Sequence, residues 1–172
     1  MLASGIEPVV FFSNSNIVPR DEYDLRLSEL SRYCDSLKVR LVADEYNHDA
    51  WLDAVLMRNE GVDAKRQAEL AAAPERAERC LNCFKFRLRR AASFATANNL
   101  PVLATTLASS RWKSLEQVAE AGEWAVCDEP HLRFWPQNWR KGGLQERRSQ
   151  IICEQNFYNQ NWCGCEFSHK QL

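Results

Sequence analysis

Long apolar runs are missing from this chain of 172 residues. No segment approaches the roughly 18 consecutive apolar residues needed to span a bilayer, and no basic stretch followed by an apolar run marks the N-terminus as a secretory leader. A cytoplasmic protein without a membrane partner is therefore expected. An excess of positive charge is missing too. Lys and Arg total 22 against 23 Asp and Glu, which excludes the global basic field of a general nucleic-acid binder and leaves any RNA contact to a local patch. Histidine is scarce. His48, His131 and His169 are scattered in loop-like or terminal stretches with none at metal-ligand spacing from another, so each reads as an ordinary surface or loop residue. Internal repeats and low-complexity segments are likewise lacking, which argues against solenoids and linkers.

What the chain does have is cysteine. Seven occur, at positions 34, 80, 83, 127, 153, 163 and 165. In a protein of the reducing cytosol these do not form a disulfide framework, and paired spacings point to metal or redox chemistry. Cys34, Cys127 and Cys153 have no partner at ligand spacing and read as buried structural residues. With 45% hydrophobic residues, one domain can bury a core unaided, and a monomer is expected.

The organisation is α/β. Glu7 to Phe12 reads as a buried strand, Ser13-Asn14-Ser15-Asn16 as a loop, and Pro19-Arg20-Asp21-Glu22 as a helix start. Tyr23, Leu25, Leu27, Leu30 and Tyr33 carry that helix to a second strand at Val39 to Ala43, a βαβ unit. Asp49 to Met57 reads as a short helix, and Asn59 to Ala73 has no clear period. After Pro74 the apolar residues Ala77, Leu81, Phe84, Leu88, Ala91 and Ala95 predict a helix of about five turns. A strand at Val102 to Thr106, a helix from Ser114 to Glu120 closed at Gly122, and a fourth strand at Trp124 to Cys127 follow. The last helix runs from Leu144 to Asn159. Such alternation predicts a mostly parallel sheet flanked by helices. Leu2-Ala3-Ser4-Gly5 looks like a last helical turn closed by a glycine, although four residues are too few for a helix. It is either a simple tail or what remains of a preceding strand and helix.

Two cysteine pairs carry the chemistry. Cys80 and Cys83 are three apart on a helix, so both sulfurs leave nearly the same side and can share a metal or cluster. Arg76 and Arg87 share their stripe, and nearby cations favour the thiolate. Two half-buried helical cysteines beside solvated arginines would show the same pattern. In Cys163-Gly164-Cys165 the glycine frees the backbone between the sulfurs. A disulfide across one residue is strained and easily reduced, so this is either a transient redox pair or two thiolates on one metal. Arg133, Trp135, Trp139, Arg140 and Lys141 fall in an aromatic and basic stretch suited to phosphate contact and base stacking, although a packed loop with solvated charges accounts for it as well.

Taken together, Phe11-Phe12-Ser13-Asn14-Ser15-Asn16-Ile17 with Glu22-Tyr23, Glu78-Arg79-Cys80-Leu81-Asn82-Cys83-Phe84 with Arg87-Leu88, Thr105-Thr106-Leu107 with Ser110 and Lys113, and Tyr158 to Ser168 resemble the QueH family of epoxyqueuosine reductases. The resemblance implies a Rossmann-like (HUP-type) fold with a helical C-terminal part, and reduction of epoxyqueuosine to queuosine at the tRNA wobble position. It also implies a 4Fe-4S cluster held by Cys80 and Cys83, Cys163 and Cys165 as a redox-active pair or ligands of a second iron, an anticodon loop as partner, and a ferredoxin or flavodoxin as electron donor. Two features depart from the family. Nothing from Met1 to Pro8 matches its adjacent-cysteine motif, so a single, N-terminally incomplete domain over residues 1–172 is expected, lacking its first strand and helix. Asn159 and Trp162 also replace an arginine and a tyrosine common in the terminal motif. Two alternatives lack turnover: a zinc-stabilised RNA-binding module using Cys80, Cys83, Cys163 and Cys165, and a degenerate remnant with the family fold and no cofactor.

Overall fold

The computed structural model describes residues 5–168. Leu2, Ala3 and Ser4, on which the severed-helix expectation falls, and His169 lie outside them. Gly5 does adopt a left-handed φ of 72°. The architecture is mixed α/β with short parallel strands and six α-helices: β1 (Val10–Phe12), α1 (Arg20–Ser36), β2 (Leu41–Ala43), α2 (His48–Val55), α3 (Ala64–Ala72), α4 (Glu78–Ala97), β3 (Val102–Ala104), α5 (Leu115–Val126), β4 (Arg133–Trp135) and α6 (Leu144–Glu154). Pairing among the described residues is confined to two parallel two-stranded ladders, β1 with β2 and β3 with β4. No helix of the described residues is long and apolar enough to cross a membrane. The chain divides into two compact units, one of Met1–His48 with Ser149–Leu172, the other Asp49–Arg148.

In the first unit, β1 and β2 pair in register Val10 to Leu41 and Phe12 to Ala43, with α1 as their crossover. The core is Phe12, Ile17 and Tyr23, flanked by Leu27, Leu30, Leu41 and Tyr46. Tyr23 and Tyr46 stack edge to face, and the Arg20 guanidinium lies 4.7 Å from both ring centroids. Burial pushes both phenols above their ordinary pKa. Leu25, expected on the apolar stripe of α1, is exposed, and Arg26 is buried instead.

The second unit is built around α4 and α5 with the β3–β4 ladder. Phe84, Leu88, Ala92, Ala95, Leu103, Val118, Ala121, Ala125 and Phe134 form its core. Asp63 caps α3 by accepting from the Arg66 backbone N–H at 2.8 Å, giving helical order to a stretch without a legible period. Arg79, only 3% exposed, donates to the Leu70 and Ala71 carbonyls at 2.8 Å, satisfying carbonyls at that helix's open end.

Two expectations fail together. Trp124 to Val126 is the last turn of α5, and the fourth strand is Arg133–Trp135. Gly122 does not end its helix but lies inside it, and a Cβ there would fall on the Phe134 ring of β4. We expect Gly122→Ala to destabilise the protein. Helix propensity favours alanine by about 1 kcal/mol, whereas overpacking a core costs about 1–3 kcal/mol. The check is a lowered melting temperature for Gly122→Ala, partly restored when Phe134→Leu is added.

Candidate functional site

Cys80 and Cys83 sit in the first two turns of α4, as their spacing predicts. The helix starts from a turn in which Ala77 N–H donates to the Pro74 carbonyl and Cys80 N–H to the Ala77 carbonyl. Arg76 occupies that turn at a φ of 67°, unusual for a residue with a side chain. It is held there by its own contacts. Its guanidinium donates to the Arg111 and Trp112 carbonyls at 3.0 and 2.9 Å, while Gln117 Nε2 donates to its carbonyl at 2.9 Å. In this pose the Arg76 backbone N–H points at Cys80 Sγ, 3.4 Å away. The Arg76 guanidinium thus serves carbonyls, and its main chain serves the sulfur.

Cys83 receives a second such bond. The indole Nε1–H of Trp51, on α2 and 1% exposed, donates to Cys83 Sγ at 3.3 Å. An N–H aimed at sulfur favours negative charge on it and tunes a bound metal centre. Both residues are only partly buried. Nothing in the sequence around Trp51 announced this role, since it depends on α2 packing beside α4.

In the other unit, Cys163-Gly164-Cys165 is fixed by residues far away in sequence. Val18 N–H donates to the Gly164 carbonyl at 2.9 Å. Arg26 donates to the Cys163 and Trp162 carbonyls at 3.1 and 3.2 Å, and its other face pairs with Glu22 at 2.7 Å. Gly164 is required on two counts. Its φ is 100°, and a Cβ would meet Ile17 Cγ1 at 2.9 Å and Arg26 Nη1 at 3.0 Å. The sulfurs of Cys163 and Cys165 stand 3.4 Å apart, with the buried Ser168 hydroxyl 3.4 Å from one and 3.5 Å from the other.

The loop after β1 borders this segment. His48 reaches the Ser15 carbonyl through Nδ1 at 2.8 Å and Glu166 through Nε2 at 3.2 Å. Asn16 Oδ1 is buried with no hydrogen-bond partner among the described residues. Upstream, Tyr158 N–H donates to Glu29 at 3.2 Å and the Tyr158 hydroxyl to Glu22 at 3.3 Å. The backbone bond holds the Glu29 carboxyl below the usual carboxylate range, so this tie is present above the ordinary glutamate pKa and is lost as the pH falls through the depressed value.

Arg26 and His48, like Trp51, were residues that sequence reasoning missed. A signal for Arg26 did exist: it lies three residues after Tyr23 and four before Leu30, on the apolar side of α1, with Glu22 one turn back.

No disulfide joins any of the seven cysteines. Cys34 is buried as expected, and burial pushes its thiol up. Cys127 and Cys153 are exposed, contrary to the structural reading. Among the described residues no three His, Cys, Asp or Glu side chains are gathered to hold a metal ion, so each pair offers two sulfur donors.

The expected RNA-contact residues divide. Arg133, Trp135 and Lys141 are exposed. Trp139 packs on the core and donates from its indole to the Thr105 carbonyl at 2.8 Å. Arg140 donates to the Ala108 and Lys113 carbonyls at 2.9 Å and to that of Ser110.

Comparison with known proteins shows the family of the chain. The sequence model described as epoxyqueuosine reductase QueH matches residues 1–171. A curated epoxyqueuosine reductase QueH of Acinetobacter baylyi is 34% identical over 168 residues, covering 98% of this chain and 72% of the relative. Those of Histophilus somni and Haemophilus influenzae are each 34% identical, over 96% and 98% of this chain and 63% and 64% of their own lengths. The chain thus spans about two thirds of the length of these curated relatives. It belongs to the epoxyqueuosine reductase QueH family.

Proposed function

We propose that this protein is an iron-sulfur oxidoreductase that reduces epoxyqueuosine to queuosine at the wobble position of tRNA. Beside the family, the observation that carries the reading is the pair of N–H donors, from Arg76 and Trp51, aimed at the sulfurs of Cys80 and Cys83. Two thiolates one helical turn apart, each receiving a hydrogen bond and each on a partly buried residue, fit half the donor set of a 4Fe-4S cluster, which takes four cysteine ligands in its usual form. Such a cluster would supply electrons one at a time. A Rossmann-like arrangement belongs to the same reading, supported by the two parallel ladders and the α1 crossover.

Removing the epoxide oxygen takes two electrons and two protons and releases water. Oxidation of the Cys163 and Cys165 thiols to a disulfide yields that number of each, and a ferredoxin or flavodoxin would return them. The sulfurs must close from 3.4 Å to about 2.05 Å, a movement that glycine between them permits. Arg26 and Val18 hold this segment by its carbonyls and not by its sulfurs. The same two sulfurs would alternatively hold a second iron, with Ser168 beside them.

We expect protein prepared without oxygen to contain iron and acid-labile sulfide and to convert epoxyqueuosine in tRNA when supplied with reduced ferredoxin or flavodoxin. Stoichiometric zinc without sulfide would replace this reading with a zinc-stabilised RNA-binding module.

A further inference from the structure

We propose that Trp112, with Arg111 beside it, is a stacking platform for an unpaired base of the substrate RNA. The proposal rests on tRNA being the substrate and assigns a contact that the sequence left elsewhere.

Trp112 is 63% exposed, in a protein whose other aromatic residues mostly find cover. It lies in the segment that leaves β3. Leu107 and Ala108 root that segment in the core, and its main chain fastens the rest. Arg76 takes the carbonyls of Arg111 and Trp112, and Arg140 takes those of Ala108, Ser110 and Lys113. Two arginines thus bind five carbonyls of one short loop, and the indole stands out from a rigid mount. A rigid exposed indole carries little ordering entropy into binding, and any base offers it a π-face. The Arg111 guanidinium lies 5.1 Å from the Trp112 ring centroid, where it can reach a phosphate while the base stacks.

Charge around the loop favours RNA. Residues 98–115 and 131–145 contain no Asp or Glu, while Arg111, Lys113, Arg133, Arg140 and Lys141 fall within them. The first acid beyond, Glu116, is engaged by the Ser114 hydroxyl at 2.6 Å. Because β3 and β4 run parallel, these two segments leave the same end of the ladder, the carboxyl end at which α/β folds bind ligands. Arg140 joins them directly. Trp139 and Arg140 are on this view the mount, and Trp112 and Arg111 the contact.

The test is binding of an RNA anticodon stem-loop by the full chain, titrated by anisotropy. Trp112→Ala should weaken binding roughly 5- to 150-fold, and Trp112→Phe should recover most of it because a phenyl ring still stacks. Arg111→Gln should lower the salt dependence of log Kd by roughly 0.7 per decade, as expected for one lost phosphate contact on a single strand. Trp124→Ala, which removes another exposed indole, should change nothing. Equal binding by wild type and Trp112→Ala overturns the platform while leaving the tRNA reading intact. So does unchanged RNA binding with slower reduction by an acidic redox protein, which would make this face a protein dock. A wild-type protein that does not bind the stem-loop overturns both.

Discussion

Cys80→Ser and Cys83→Ser are expected to lose most of the bound iron and sulfide, whereas Cys163→Ser and Cys165→Ser retain it and lose turnover to background. The split follows from the surroundings of each pair. Cys80 and Cys83 are mounted on a helix, with N–H groups aimed at their sulfurs, an arrangement for holding. Cys163 and Cys165 flank a glycine in a loop, 3.4 Å apart, an arrangement for closing and opening. Iron, sulfide and epoxyqueuosine conversion measured on the four variants decide it. Full iron loss in Cys163→Ser would make the C-G-C pair a ligand to the cluster instead.

Arg26→Met should be among the most destabilising single changes. Methionine matches much of the volume but leaves Glu22, 12% exposed, without its 2.7 Å partner and the Trp162 and Cys163 carbonyls without donors. Breaking a buried pair from one side costs about 3–5 kcal/mol, which in a protein of this size lowers the melting temperature by roughly 10 °C. Glu22→Gln in the same chain should return part of the loss, because the stranded charge is then gone. Turnover should fall further than stability alone accounts for, since the C-G-C carbonyls lose their anchor. A thermal melt of Arg26→Met within about 1 kcal/mol of wild type would show the pair to be solvated after all.

Much of this was legible in the sequence. The long helix through Cys80 and Cys83 follows from an apolar period of about five turns, and β1, β2 and β3 follow from short apolar runs bounded by turn-forming residues and helical patterns. The failures share one cause. Trp124-Ala125-Val126 is too short a run to distinguish strand from helix by period, and what decides it, the Phe134 ring lying on Gly122, is a tertiary contact. β4 is only three residues long, so its alternation of exposed Arg133, buried Phe134 and exposed Trp135 could not be seen against the aromatic and basic composition around it. The site divides the same way. The cysteine spacings were visible, but the groups that set their chemistry, Trp51 on one side and Arg26 on the other, are 32 and 137 residues away.

That last separation also has a meaning in time. Arg26 leaves the ribosome 137 residues before the carbonyl it serves, and at about 5–20 residues per second this is roughly 7–27 s of synthesis. During that interval α1 carries a guanidinium whose final acceptors do not yet exist, while residues 49–148 emerge as one uninterrupted stretch with their own core. The C-G-C thiols therefore take their places only after residues 49–148 have had their chance to fold. A nascent protein stalled short of Trp162 would hold its Cys80 and Cys83 helix and the Arg26–Glu22 pair of α1, yet leave that guanidinium without its two carbonyl acceptors.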